Sequence, residues 1–227
     1  MQHSAEYSAL CYQAFNAAQH QLDGYLVNPG NDKRPMAIIT DVDETVLDYS
    51  FFEAQLIKDK KVYNDSLWKQ WTQQASCTSI PGSLEFLRYA KQKSVTIFYV
   101  SNRKTTEIPA TLKNLVALNF PDSDPTHLLF KENDSSKEAR RKLIFQKYNV
   151  VMLIGDNLSD FSSAFEGKGN QERKDEAIRI KELWGQKFII LPNPVYGDWE
   201  GVLLNKKDSV QIQPSVDVLK GYKTNKR

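Results

Sequence analysis

The chain has 227 residues, 26% of them charged and 41% apolar, with a formal net charge of +2. That length suits one α/β domain with an insertion and a substantial core. The near balance of charge argues against a nucleic-acid polymer as partner, and no apolar run is long enough to span a bilayer.

Residues 4–27 read as an amphipathic helix. Tyr7, Leu10, Cys11, Ala14, Phe15 and Ala18 recur at helical spacing, and Asn28-Pro29-Gly30-Asn31 ends the pattern. Residues 36–40 read as a buried strand running into Asp41-Val42-Asp43-Glu44. Residues 50–79 are aromatic and polar, with Phe51, Phe52, Tyr63, Trp68 and Trp71 and no strand pattern. They read as an insertion over a site built by 1–49 and 80–227. Ile80-Pro81-Gly82-Ser83 restarts the core, and 83–93 is helical in pattern. Residues 95–100 form a second strand ending at Ser101-Asn102-Arg103, and a helix follows over roughly 105–118. A short strand is expected at 128–130. A helix over 135–148 has Ser135 or Ser136 as N-cap. The next strand, 149–154, leads into Gly155-Asp156-Asn157-Leu158-Ser159-Asp160, and 188–191 forms another. Strands alternating with helices imply an α/β fold with a mainly parallel sheet covered on both faces. The basic end, Lys220, Lys223, Lys226 and Arg227, reads as a solvated tail. Cys11 and Cys77 lack metal-ligand spacing and read as unpaired, half-buried thiols, with a disulfide open in an oxidising compartment. No signal peptide stands at the start, so the protein is either cytosolic or has lost a leader.

Four aspartates follow two of these strands. In open α/β sheets ligands bind beyond the carboxyl ends of the strands. Two acidic pairs meeting there are costly unless a cation neutralises them, and clustered oxygens suit Mg²⁺. Phosphoryl transfer to a carboxylate needs a nucleophile, a proton shuttle, a cation and donors for the phosphoryl oxygens. Asp41 can attack, and Asp43 can protonate the leaving group and then activate water. Ser101 offers a hydroxyl, Asn102 its backbone amide, and Lys137 a positive charge. Asp156 can bind metal, and Asp160 would share its face if a helix begins there. Each element alone is ordinary loop or cap chemistry. The ordered set is hard to obtain by chance.

The set resembles the haloacid dehalogenase superfamily of phosphatases. Ile39-Thr40-Asp41-Val42-Asp43-Glu44-Thr45-Val46-Leu47 and Val151-Met152-Leu153-Ile154-Gly155-Asp156-Asn157-Leu158-Ser159-Asp160-Phe161 look like the bipartite signature of the bacterial class C, or "DDDD", acid phosphatases. Outer-membrane lipoprotein e belongs to this class. Tyr99-Val100-Ser101-Asn102-Arg103-Lys104, Leu191-Pro192-Asn193, Tyr196-Gly197 and Trp199-Glu200-Gly201 extend the likeness over nearly the whole chain. The resemblance implies a Rossmann-like core with a small aromatic-rich cap. It implies Asp41 as nucleophile and Asp43 as acid/base. Mg²⁺ would be held by Asp41, the Asp43 carbonyl and Asp156, with Asp160 close behind, and phosphate by Ser101, Asn102 and Lys137. It further implies Trp68 and Tyr196 stacking a nucleotide base, while Phe51, Tyr63 and Trp71 read as packing. Tyr49 and Phe52 depart from the usual residues at the edge of the first signature. The implied substrate is a small phosphomonoester, a 5′-nucleotide foremost. The implied setting is a homodimer in the periplasm or on the outer membrane, attached through a lipidated leader. A phosphotransferase using an alcohol acceptor, and a non-enzymatic receiver or surface ligand-binding lipoprotein, stay open as alternatives.

Overall fold

The computed structural model describes residues 1–203. The basic cluster Lys220, Lys223, Lys226 and Arg227 lies outside them. Helix α1 (Ala5–Val27) precedes strand β1 (Met36–Thr40), and helices α2 (Ser50–Asp59), α3 (Asp65–Gln74) and α4 (Ser83–Gln92) precede β2 (Thr96–Lys104). Then come α5 (Ile108–Ala117), β3 (Leu128–Lys131), α6 (Glu138–Lys147), β4 (Asn149–Gly155), α7 (Asn170–Arg179), β5 (Phe188–Ile190) and α8 (Asp198–Leu203). The strands form one sheet in the order β3-β2-β1-β4-β5, every neighbouring pair parallel.

The apolar runs explain the centre of this sheet. Strands covered on both faces need no polar alternation. Ile38 joins Ile97, Tyr99, Met152 and Ile154 in one cluster with Phe15 and Leu22 of α1 and Phe86 and Leu87 of α4. Its neighbours Ala37 and Ile39 point the other way, to Phe98, Val100, Leu153 and Ile144 of α6. Each buried Leu, Ile or Phe contributes on the order of 1.5–3 kcal/mol. The chain steps from β1 outward through β2 to β3, then crosses back to β4 and β5. Loops leaving β1 and its flanking strands therefore diverge, and the crevice between them opens at the strands' carboxyl ends.

Several sequence expectations shift. Cys11, Phe15, Ala18 and Leu22 make the buried stripe of α1, but Leu10 lies 48% exposed. Both cysteines are free and buried rather than half-buried, because both sit in the larger core cluster. The segment 50–79 holds two helices. Phe52 and Leu56 bury one face of α2, while Phe51 is 48% exposed, since consecutive helical side chains cannot share a face. Tyr63, in the loop before α3, is 53% exposed, yet its ring packs edge-on against Phe52 at 6.3 Å between centroids. Asn64 caps α3 by accepting from the amides of Ser66 and Leu67. Helix α6 starts at Glu138 with Lys137 at the cap position, not Ser135 or Ser136. The Ser136 hydroxyl still accepts from the Glu138 amide, at 3.3 Å, so the turn before the helix is wound to present Lys137 inward.

Candidate active site

Strand β1 ends at Thr40 and its hydrogen bonding continues one residue further, the Asp41 amide donating to Ile154 of β4 at 2.9 Å. Asp41 therefore emerges beside the end of β4, where Asp156 follows Gly155. The next residues turn sharply, with Glu44 at φ 55°. Its carboxyl is buried, accepts from the Tyr49 amide at 3.1 Å, and receives the Tyr7 hydroxyl more loosely at 3.4 Å. Burial pushes this acid up to about 8, with Asp48 adding to the effect. It fixes the loop after Asp43 as a neutral group near pH 7.

After Asp156 the chain makes a 3-10 turn, Leu158–Asp160, rather than a helix carrying Asp156 and Asp160 on one face. The turn sends Asp160 back over Gly155, and its Oδ2 accepts from the Asn157 amide at 2.9 Å. Buried Arg141 of α6 donates to the carbonyls of Ser159 and Asp160, both at 2.8 Å. Carboxylate oxygens of Asp41, Asp156 and Asp160 thereby fall within 4.8 Å of one another.

Lys137 is the only cation bonded to this trio among the described residues. Its Nζ contacts Asp41 Oδ1 directly and donates to Asp160 Oδ1 at 2.6 Å. The Thr45 hydroxyl lies 3.2 Å from Asp156 Oδ1 and 3.5 Å from Asp41 Oδ2, one donor shared by two carboxylates. Asn193 donates to Asp156 Oδ2 at 2.7 Å, while its own Oδ1 orders the loop carrying Tyr196. Burial raises the Asp41 carboxyl to about 7; Lys137 opposes this, and Asp160 and Asp43 reinforce it. Burial, then Asp160 and Asp41, drive Asp156 well above the usual carboxylate range. Burial works against the Lys137 charge, but Asp160 and Asp41 together raise it. Once all three carboxylates are ionised, one ammonium leaves two negative charges uncompensated, which on top of burial holds Asp41 and Asp156 above their usual range without a cation. An all-oxygen cluster with that deficit fits a hard divalent cation, with Asp41, Asp156 and Asp160 as the residues to hold it.

Asp43 does not join this trio. Its carboxylate is gripped by the guanidinium of Arg103, Nε at 3.2 and 3.1 Å from the two oxygens and Nη2 at 2.7 Å from Oδ1. Ser101 is buried, and its hydroxyl accepts from the Arg103 amide at 3.1 Å. Asn102 is exposed on the cleft wall, its side-chain oxygen taken by Arg140 at 2.7 Å.

All nine sequence-predicted residues line one cleft of about 700 Å³. Its outer wall is aromatic. Tyr49 is buried against Phe52 and meets the rings of Trp68 and Tyr196 edge-on, at 4.7 and 5.5 Å between centroids. Trp71 packs behind them, as expected. Sequence reasoning missed Arg103, Thr45, Asn193 and Arg141 as members of the site. Arg103, Thr45 and Asn193 stand inside the matching motifs, but nothing local marks an arginine as buried or a threonine as bridging two strands' acids.

Residues 1–199 match the family model described as HAD superfamily, subfamily IIIB (acid phosphatase). The fold superposes on the class C acid phosphatase from Bacillus anthracis with a TM-score of 0.91 and 39% identity, over 98% of this chain and 94% of that one. A form of the same enzyme with tungstate bound agrees equally well. Among curated proteins it is similar to the stem 28 kDa glycoprotein of Glycine max, 23% identical over 141 residues, covering 59% of this chain and 49% of that one. A stem 31 kDa glycoprotein of the same plant is 25% identical over 113 residues, covering 47% of this chain and 39% of that one. The chain thus spans about half the length, or less, of these curated relatives. The described fold is that of the class C enzyme, and the chain belongs to the haloacid dehalogenase superfamily, subfamily IIIB acid phosphatases.

Proposed function

We propose that the chain hydrolyses phosphomonoesters in a Mg²⁺-dependent reaction through an aspartyl-phosphate on Asp41, with 5′-nucleoside monophosphates as preferred substrates. The observation that carries this is the pinning of Asp41 at the cleft floor. Lys137 and Thr45 hold its two oxygens while Asp156 and Asp160 crowd the same point. Lys137 also supplies positive charge where a phosphoryl group would sit. An Asp41 oxygen attacks phosphorus as the bond to the leaving oxygen breaks, and Asp43 gives that oxygen a proton. Asp43 then takes a proton from water, which attacks phosphorus and frees Asp41 with release of inorganic phosphate. A divalent cation held by Asp41, the Asp43 carbonyl and Asp156, with Asp160 close behind, would neutralise the phosphoryl oxygens and keep the nucleophile ionised.

The aspartates recognise only the phosphoryl end, which every phosphomonoester shares. Selectivity must come from the aromatic wall, and Trp68 and Tyr196 border the cleft on Tyr49. We take the segment 50–79 as a cap that clamps the leaving group, with these two rings stacking its base. The bound tungstate of the Bacillus anthracis enzyme, a tetrahedral oxyanion, is in keeping with a phosphate-shaped site. We also propose a periplasmic or outer-membrane location and a homodimer, on the strength of the class C resemblance alone.

A phosphate-release screen over 5′-nucleotides, 3′-nucleotides and aliphatic phosphates, before and after EDTA, tests the reading. Asp41→Asn should be inactive in the same screen, because an amide does not form the covalent intermediate. Mg²⁺ should restore the EDTA-treated protein. Base stacking is worth about 1–3 kcal/mol, so Trp68→Ala should raise KM for 5′-nucleotides roughly 5- to 150-fold and leave aliphatic phosphates nearly unchanged. Full activity of stripped protein refutes the cation, and an equal loss on both substrate classes refutes the clamp.

A further inference from the structure

Arg103 is 4% exposed and all three of its nitrogens are engaged. Nε and Nη2 hold Asp43, and Nη1 donates to the Thr111 hydroxyl at 2.9 Å. That hydroxyl donates in turn to the Glu107 carbonyl at 2.9 Å. The guanidinium also has a third partner: it lies over the Trp68 ring, with Cζ 5.2 Å from the centroid. Asp43 follows β1, Arg103 is the penultimate residue of β2 and Trp68 belongs to α3, so one side chain joins three segments around the cleft. A second link lies alongside, where Thr72 of α3 donates to buried Glu107 at 3.1 Å.

A buried ion pair is weak evidence for stability, since desolvation offsets its attraction. This pair does something an apolar pair would not. A carboxylate rotates broadly about its last torsion, and a planar fork removes that freedom. The grip is also asymmetric. Asp43 Oδ1 takes two N–H contacts, at 2.7 and 3.2 Å, whereas Oδ2 takes one, at 3.1 Å, shared with Oδ1. Oδ1 is the anchored oxygen and Oδ2 the one with electron pairs to spare. The two cations divide the acids between them: Lys137 takes Asp41 and Asp160, Arg103 takes Asp43.

We propose that Arg103 is a positioning residue that couples leaving-group docking to proton transfer, its nitrogens aiming Asp43 Oδ2 at the ester oxygen while its charge over the Trp68 ring supports that ring. This rests on the acid/base reading of Asp43 and the leaving-group reading of Trp68 above. In the first step the P–O bond to the leaving group breaks, its electron pair stays on oxygen, and the proton comes from Oδ2 of protonated Asp43 while Oδ1 keeps its bonds to Arg103; in the second step Asp43 recovers that proton from the attacking water. Arg103 keeps its protons throughout.

Leaving groups differ in their need for that proton. Nitrophenolate departs without one, whereas the 5′-alkoxide of adenosine does not. General acid catalysis is worth typically 10²–10⁴-fold. In single-turnover mixing with Mg²⁺ present, Arg103→Met should release nitrophenolate from p-nitrophenyl phosphate within about threefold of the wild-type rate while slowing adenosine 5′-monophosphate cleavage about 100-fold. In that background, Trp68→Ala should change the nucleotide KM less than about twofold, against the roughly 5- to 150-fold expected alone. Arg103→Lys keeps the charge and loses the fork, so it should show the same split at about tenfold; this variant decides if Arg103→Met does not fold. Equal slowing of both substrates, or an unchanged ratio in Arg103→Lys, overturns the coupling. Asp43→Asn is the separate control. If it cleaves the nucleotide normally, the acid/base reading fails; if it is crippled while both Arg103 variants retain the wild-type ratio, only the present proposal fails.

Discussion

Gly155→Ala is the smallest change that should dismantle the acidic cluster without touching an acid. A Cβ built on Gly155 would lie 2.4 Å from Asp160 Oδ2 and 2.5 Å from Asp160 Cβ. The second atom is close to the backbone, so the clash is not relieved by a side-chain rotation alone. Reaching 3.4 Å, the onset of ordinary contact, requires a shift of about 1 Å. The segment that must move is tied down by Arg141 on the Ser159 and Asp160 carbonyls. Overpacking of this kind costs about 1–3 kcal/mol. A 1 Å shift also weakens the bonds from Lys137 and the Asn157 amide to Asp160, now at 2.6 and 2.9 Å. Each is charge-assisted and worth about 1.5–3 kcal/mol. Retaining half of them gives a total of roughly 2.5–6 kcal/mol, and for a chain of this size Tm should fall by about 5–24 °C. Lys137 would then be shared unequally, leaving Asp41 less well oriented, and a misplacement of 1 Å can cost about 100-fold in rate. Thermal melts and phosphate release measured on the same sample check both effects. A variant with Tm within 2 °C of wild type and full turnover would refute the argument that this glycine is required by the return of Asp160.

Two further outcomes follow from buried acids. Glu44 has a carboxyl at about 8 in the fold against an ordinary 4.5. Between those pH values the folded state binds a proton that the unfolded chain does not, so stability falls as pH rises through that window, by up to about 5 kcal/mol. Glu44→Gln should flatten the dependence of Tm on pH between 5 and 8 and exceed wild type at pH 8; parallel curves would refute it. Asp41 and Asp156 are both raised, so protons compete with Mg²⁺ for the same oxygens. The Mg²⁺ Kd measured calorimetrically should therefore rise as pH falls below 7, by up to about tenfold per pH unit for each proton displaced. A Kd constant from pH 7 to 5 would show that these carboxyls are already ionised before the cation arrives.

Much of this protein is legible along the chain, because the signals are local. The apolar runs of β1 and β4 mark the two strands next to each other at the sheet centre, and an aspartate pair after each marks the active end. The stripe on α1 defines a helix from about residue 4 that the structure reproduces, and the fold adds its cap, Ser4 accepting from the Tyr7 amide at 3.1 Å. What the chain order cannot express is which distant groups meet. Asp43 and Arg103 stand 60 residues apart, Asp41 and Lys137 96, and Thr45 and Asp156 111. Lys137, Arg103 and Arg141 look in composition like any of the 30 basic residues, yet all three are buried, because each faces carboxylates or carbonyls that folding brings within reach. The same holds for Asp160, which reads as the second acid of a helical face. A 3-10 turn and a glycine without a side chain let it fold back instead onto Lys137. Periodicity and motif spacing report the torsions of neighbouring residues. The pairing of charges across strands is decided only when burial removes water and each charge must find its partner in the packed fold.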